Sequence, residues 1–166
     1  MNTGQTMITF GALVLLTIVV LNMHRSINNA EFYLNDTRFG LEAIAIATSL
    51  IEEISQFPFD QASWDTTSLV KFPTDFTLPN DLGPDAGETS HDLFNDVDDF
   101  HNYSRLIVTE QNEYNLHCSV CYVNENDPDV PLNGRSFFKK ITITISNSIS
   151  NDTTRMNYIH GFWFFN

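Results

Sequence analysis

Cations are scarce in this 166-residue chain, where 8 Lys and Arg stand against 21 Asp and Glu for a formal net charge of −13. Nothing here clusters positive charge to neutralise a phosphate backbone, which argues against a nucleic-acid partner. Two other absences are more informative. From Met1 to Met23 there is no ionisable side chain, and from Arg25 to Gln56 there is no Pro and a single Gly, Gly40. With 42% hydrophobic and 13% aromatic residues the chain is not a disordered acidic tail. Its length suits one ordinary domain plus something extra.

The uncharged front contains MITFGALVLLTIVVL, Met7 to Leu21, an apolar run of 15 residues. With Asn22 and Met23 it covers roughly 25 Å at ~1.5 Å per residue, slightly short of the ~30 Å hydrocarbon core of a bilayer. A secretory signal is disfavoured, because MNTGQ carries no cation and Asn22-Met23-His24-Arg25 offers no small-residue cleavage site. A simple membrane anchor fits the hydropathy, and the flanking Arg25 and Arg38 weakly favour a cytoplasmic C-terminal side. The third reading makes the run the first half of one long helix buried against copies of itself.

The residues after Arg25 support that third reading. Leu41, Ile44, Ala47, Ile51 and Ile54 recur at steps of three and four, with Glu42, Glu52 and Glu53 around them, until Phe57-Pro58 ends the pattern. A single helix from Gln5 to Gln56 would run roughly 78 Å. Its first half, apolar all round, can rest only in lipid or among other subunits.

This layout resembles the type IV pilin and pseudopilin family. There a short leader ends in Gly and the mature chain opens on a hydrophobic residue followed by Thr-Leu-Ile-Glu. Here Gly4, Thr6, Met7 and Ile8 fit by type, whereas Gln5 replaces the aromatic, Thr9 replaces the acidic residue, and the leader MNTG lacks its positive charge. AIAIATSLIEEI, Ala43 to Ile54, looks like the end of the family's long helix, with small and aliphatic residues facing the head. The resemblance makes Gly4 and Gln5 the candidate processing site. Thr9 cannot neutralise a neighbour's terminal amine, so either that amine finds another partner or residues 1–6 stay as a polar head.

The fold expected is α+β: a long N-terminal helix of about 50 residues packed by its second half on a small antiparallel β-sheet head. Residues 7–23 would be the membrane or filament-core helix, 24–56 its amphipathic continuation, and 57–166 an acidic β-rich head. The head holds 16 acidic and 6 basic residues. Phe57 to Ser104 reads as loops over a sheet, held by Phe57, Phe59, Trp64, Phe72 and Phe76. Arg105 to Asn124 contains one or two strands and Asn126 to Gly134 a turn-rich loop. Ser136 to Ser146 alternates through Ile141, Ile143 and Ile145, and Arg155 to Phe165 is the final strand.

Several groups invite a chemical reading. Cys118 and Cys121 form a C-x-x-C, but a strand sends them to opposite faces and a second ligand pair is missing; a functional pair, a disulfide and two packed thiols remain open. Asp96, Asp98 and Asp99, with Asn126, Asp127 and Asp129, offer oxygen ligands for calcium, the only cofactor in prospect. No EF-hand spacing is present, and solvated turn carboxylates are the plainer reading. His91, His101, His117 and His160 are scattered, and no nucleophile elbow or phosphate cradle occurs, so no enzyme is expected. Asn35, Asn102 and Asn151 begin N-glycosylation triplets.

The expectation is a structural subunit: a single-pass precursor in the cytoplasmic membrane that joins a helical extracellular filament with the help of an assembly machine. Met7, Ile8, Thr9, Phe10, Leu13, Leu15, Leu16, Ile18, Val19, Val20 and Leu21 would form the filament core, with Gly11 and Ala12 allowing close approach. The alternatives are a minor pseudopilin of a secretion system and an anchored binding domain that never polymerises.

Overall fold

The computed structural model describes residues 2–64, 72–109, 112–147 and 152–162, without the side chains of Asn35 and Trp64. The order is helix α1, Thr3–Ile54; a one-turn helix α2, Gln61–Trp64; three 3₁₀ turns at Pro73–Asp75, His91–Leu93 and Asp98–Phe100; then five strands. These are β1 (Ser104–Val108), β2 (Glu113–Asn124), β3 (Asp127–Pro131), β4 (Phe138–Asn147) and β5 (Thr153–Gly161). The architecture is α+β, with a long N-terminal helix followed by a small antiparallel sheet. The chain divides into two compact units, Met1–Leu41 and Glu42–Asn166.

With no Pro to interrupt it, α1 continues for 52 residues. It ends without a capping glycine, through tightening turns in which Gln56 N–H donates to the Glu53 carbonyl at 3.0 Å and Phe57 N–H to that of Ile54 at 3.1 Å. Pro58 then prevents continuation. The last turns belong to the second unit, where Ala43, Ala47, Leu50 and Ile54 are buried. This corrects the expected stripe, because Leu41 and Ile44 are exposed and Ile51 is only half-buried. Ala43 and Ala47 followed by Leu50 and Ile54 occupy the inner face, and Leu41 and Ile44 turn outward.

The sheet runs β1-β2-β4-β5, with β3 joined to the far end of β2. Every pairing is antiparallel. Tyr114, Leu116, Cys118, Val120 and Tyr122 of β2 alternate inward and meet Asn147, Ile145, Ile143, Ile141 and Lys139 of β4 in register. The period of two therefore buries one face and leaves Thr142, Thr144 and Asn115 on the other. Phe59, Phe76 and Tyr122 form a packed cluster with Leu82, Leu132, Phe137 and Phe162 around it.

Two expectations about the head change. Asn126–Gly134 is not wholly a loop, because β3 pairs Asp127 with Asn124 and Pro131 with Val123. Its two prolines are tolerated because β3 is an edge strand, where a missing N–H faces outward. Of the anchoring aromatics, Phe59 and Phe76 are buried and Phe57 meets Phe100 edge-on at 5.3 Å, but Phe72 is exposed. The Trp64 side chain and residues 163–165, assigned to the last strand, lie outside the described residues.

Candidate functional site

In the N-terminal unit the large apolar side chains of the run Met7–Leu21 are exposed among the described residues. Between Met7 and Leu21 they range from 43% exposed at Val20 to 79% at Met7. The helix is long and apolar enough to cross a membrane, and none of its apolar window is buried. Three threonine hydroxyls in and beside the apolar run bond back to the helix itself. The hydroxyls of Thr6, Thr9 and Thr17 donate to the carbonyls of Thr3, Thr6 and Leu13 at 2.8, 2.9 and 2.8 Å. A threonine bonded back to its own helix presents mainly its methyl group outward, so the segment can enter hydrocarbon without stranding a donor. Thr9, which stands where the pilin pattern has an acid, spends its hydroxyl in this way.

A β-carbon added at Gly4 or Gly11 would meet nothing within 4 Å. Among the described residues, packing within one chain gives no reason for glycine at either position.

In the second unit the acidic candidates separate into two settings. Asp127 and Asp129 are exposed on β3, and the Asp129 carbonyl accepts a hydrogen bond from Lys140 Nζ at 2.9 Å. Asp96, Asp98 and Asp99 are each 3% exposed, so the expectation of solvated turn carboxylates is corrected. Among the described residues no group of three or more His, Cys, Asp or Glu side chains is arranged to hold a metal ion. Asp96 Oδ1 instead accepts the backbone N–H groups of Asp98 and Asp99 at 2.9 and 3.4 Å, closing the 3₁₀ turn on itself. Burial, then the hydrogen bond and charge of Asp98, push the Asp96 carboxyl up to about 9. Burial and the nearby Glu88 move Asp99 up to about 6 against two backbone donors.

The partner that sequence reasoning missed is Lys139. It stands in phase with Ile141, Ile143 and Ile145, and that parity was the available signal for a buried cation. Its ammonium lies 2.9 Å from Asp98 Oδ1 and 3.3 Å from Asp60 Oδ2. Although burial favours the neutral form of Asp98, the Lys139 charge and hydrogen bonds from Asp96 and Lys139 outweigh it and hold that carboxyl below the usual range.

The remaining candidates are structural or undescribed. Cys118 and Cys121 are free thiols on opposite faces of β2, and burial raises Cys118 to about 12, far from a reactive thiolate. His101 Nδ1 accepts the Val120 N–H at 3.1 Å, and His117 Nδ1 meets Ser104 Oγ at 3.0 Å. His91 lies 3.3 Å from Glu53. Burial, reinforced by Lys139, lowers His160 to about 4. Asn102 is exposed in a turn at φ 63°; Asn151 lies outside the described residues.

Comparisons with protein-family models, with characterised proteins and with solved structures gave no match. Function therefore rests on the geometry of each unit taken by itself.

Proposed function

We propose that this chain is a structural subunit of a type IV pilus-like extracellular filament, held in the membrane by its N-terminal helix before assembly and polymerised through that helix afterwards. One observation carries the reading: the large apolar side chains of α1 between Met7 and Leu21 are all exposed among the described residues. A patch of that size is not left to water, so it needs lipid, other copies, or each in turn. The back-bonded threonines suit both environments. Gly11, unexplained by its own chain, suits close approach of a second helix. A contact that joins one surface to a different surface on the next copy grows as an open helix, which is how a fibre forms.

The test is electron microscopy of material sheared from the source cells, with mass spectrometry of the subunit's N-terminus. Filaments containing this chain are expected, and the terminal peptide decides whether cleavage follows Gly4. Leu16→Lys, which places a charge in the apolar segment, is expected to abolish filaments while the chain still accumulates in the membrane. Recovery of wild-type chain only as single molecules in lipid overturns the filament and leaves the anchored domain.

A further inference from the structure

The residues beneath the sheet are unused by a filament built through α1, and their arrangement has a chemistry of its own. Tyr122, Lys139 and His160 stand in one row across β2, β4 and β5 on the inward face. Lys139 is 0% exposed and lies under the rings of Phe59 and Tyr122, with Nζ 4.5 and 5.3 Å from their centroids. Its Nζ donates to the Phe59 carbonyl at 2.6 Å, to Asp98 Oδ1 at 2.9 Å and to Asp60 Oδ2 at 3.3 Å. An amine is thus fixed against two carboxyl groups in a solvent-inaccessible, aromatic-walled site, with a third carboxyl, Asp96, hydrogen-bonded to one of them.

We propose that Lys139 and Asp98 condense to an intramolecular amide crosslink, Nζ to Cγ, with loss of one water, Asp60 serving as the base and Asp96 as the acid. The roles come from position. Asp60 is anchored by backbone donors, Ala62 N–H on Oδ1 at 3.1 Å and Thr77 N–H on Oδ2 at 2.9 Å, which hold it as an acceptor facing Nζ. Asp98 offers the nearer carboxyl and carries the hydrogen bond from Asp96, which polarises it for attack. Asp96, kept protonated by burial, has the proton to give at neutral pH.

The step balances without a co-reactant. The Lys139 ammonium passes one proton to Asp60, and the freed amine attacks Asp98 Cγ as Asp96 protonates an Asp98 oxygen. The new nitrogen returns a proton to Asp96, and the hydroxyl leaves with the proton held by Asp60. The products are an amide, one water, ionised Asp60 and protonated Asp96. Two effects favour this over a resting ion pair. Contact distance replaces a bimolecular encounter. The buried pair, whose attraction poorly offsets its desolvation, becomes a neutral group. The bond would tie the 3₁₀ turn Asp98–Phe100 covalently to β4.

The decisive measurement is tryptic digestion and tandem mass spectrometry of the full chain purified in detergent. The peptides holding Asp98 and Lys139 are expected as one branched species, lighter than their sum by one water, with no cleavage after Lys139. Lys139→Arg and Asp98→Ala are expected to give linear peptides only. Asp96→Asn, which keeps the size of the side chain, is expected to leave the two peptides mostly linear in a chain of wild-type circular dichroism. Wild-type peptides recovered linear at their full masses, with cleavage after Lys139, overturn the proposal whether or not the variants fold.

Discussion

Lys139 shows how far a single position in an alternating strand can be read. The alternation of Ile141, Ile143 and Ile145 was legible, and extending its parity by two residues places Lys139 inward, yet a lysine reads by type as solvent-facing. What the sequence could not supply was the company: Asp60 and Asp98 are 79 and 41 residues away. The pH dependence of the head belongs to this scale. Asp96 and Asp99 are raised in the folded chain, so their stabilising contribution is complete below about pH 4 and is lost as pH rises through about 6 for Asp99 and about 9 for Asp96. His160, lowered to about 4, works the other way, and its contribution is lost as pH falls from about 6.5. Between pH 7 and 9 only the Asp96 contribution changes among these three. The melting temperature of wild type should therefore fall across that interval, and Asp96→Asn should flatten the decline. A scan by circular dichroism in which both chains decline equally removes Asp96 as the cause.

Among the elements, those governed by local pattern were the ones read correctly. The absence of Pro extends α1, the period of two gives β2 and β4, and the C-x-x-C residues take opposite faces as strand geometry requires. Elements that depend on a partner were missed. β3 exists because β2 offers it an edge, and its Pro-rich sequence hides the pairing. The inner stripe of α1 was read correctly at Ala47 and Ile54 but not at Leu41, Ile44 and Ile51, because Ala43 and Leu50 take the inward positions instead. The compact C-terminal unit begins at Glu42 and takes in the end of α1. A fragment covering 42–166 is expected to fold cooperatively in solution. One covering 57–166 loses Ala43, Ala47, Leu50 and Ile54. Burial of Leu50 and Ile54 alone contributes about 1.5–3 kcal/mol each, a large part of a small domain's stability. Urea unfolding monitored by fluorescence distinguishes the two: a sharp transition in the shorter fragment, at the same midpoint, shows that the helix end is dispensable.

For the whole molecule the opposing quantities are an apolar helix that favours association and a net charge of −13 that resists it. Both were visible in the sequence, and no comparison of single residues reveals their balance. The two terms respond differently to salt. Apolar contact between helices has little direct dependence on ionic strength, whereas repulsion between exposed acidic heads is screened over a Debye length of about 10 Å at 0.1 M and about 3 Å at 1 M. If copies of this chain pack through residues 7–21 with acidic heads side by side, added sodium chloride should shift purified chain toward larger species. The shift should be weaker in a variant with Asp127 and Asp129 changed to Asn, because two exposed charges per copy are then gone. Sedimentation velocity in a non-ionic detergent, at concentrations where the wild-type chain is partly associated, reads the effect directly. Association that weakens as salt rises assigns the contact to ion pairs between heads and removes the helix from its centre.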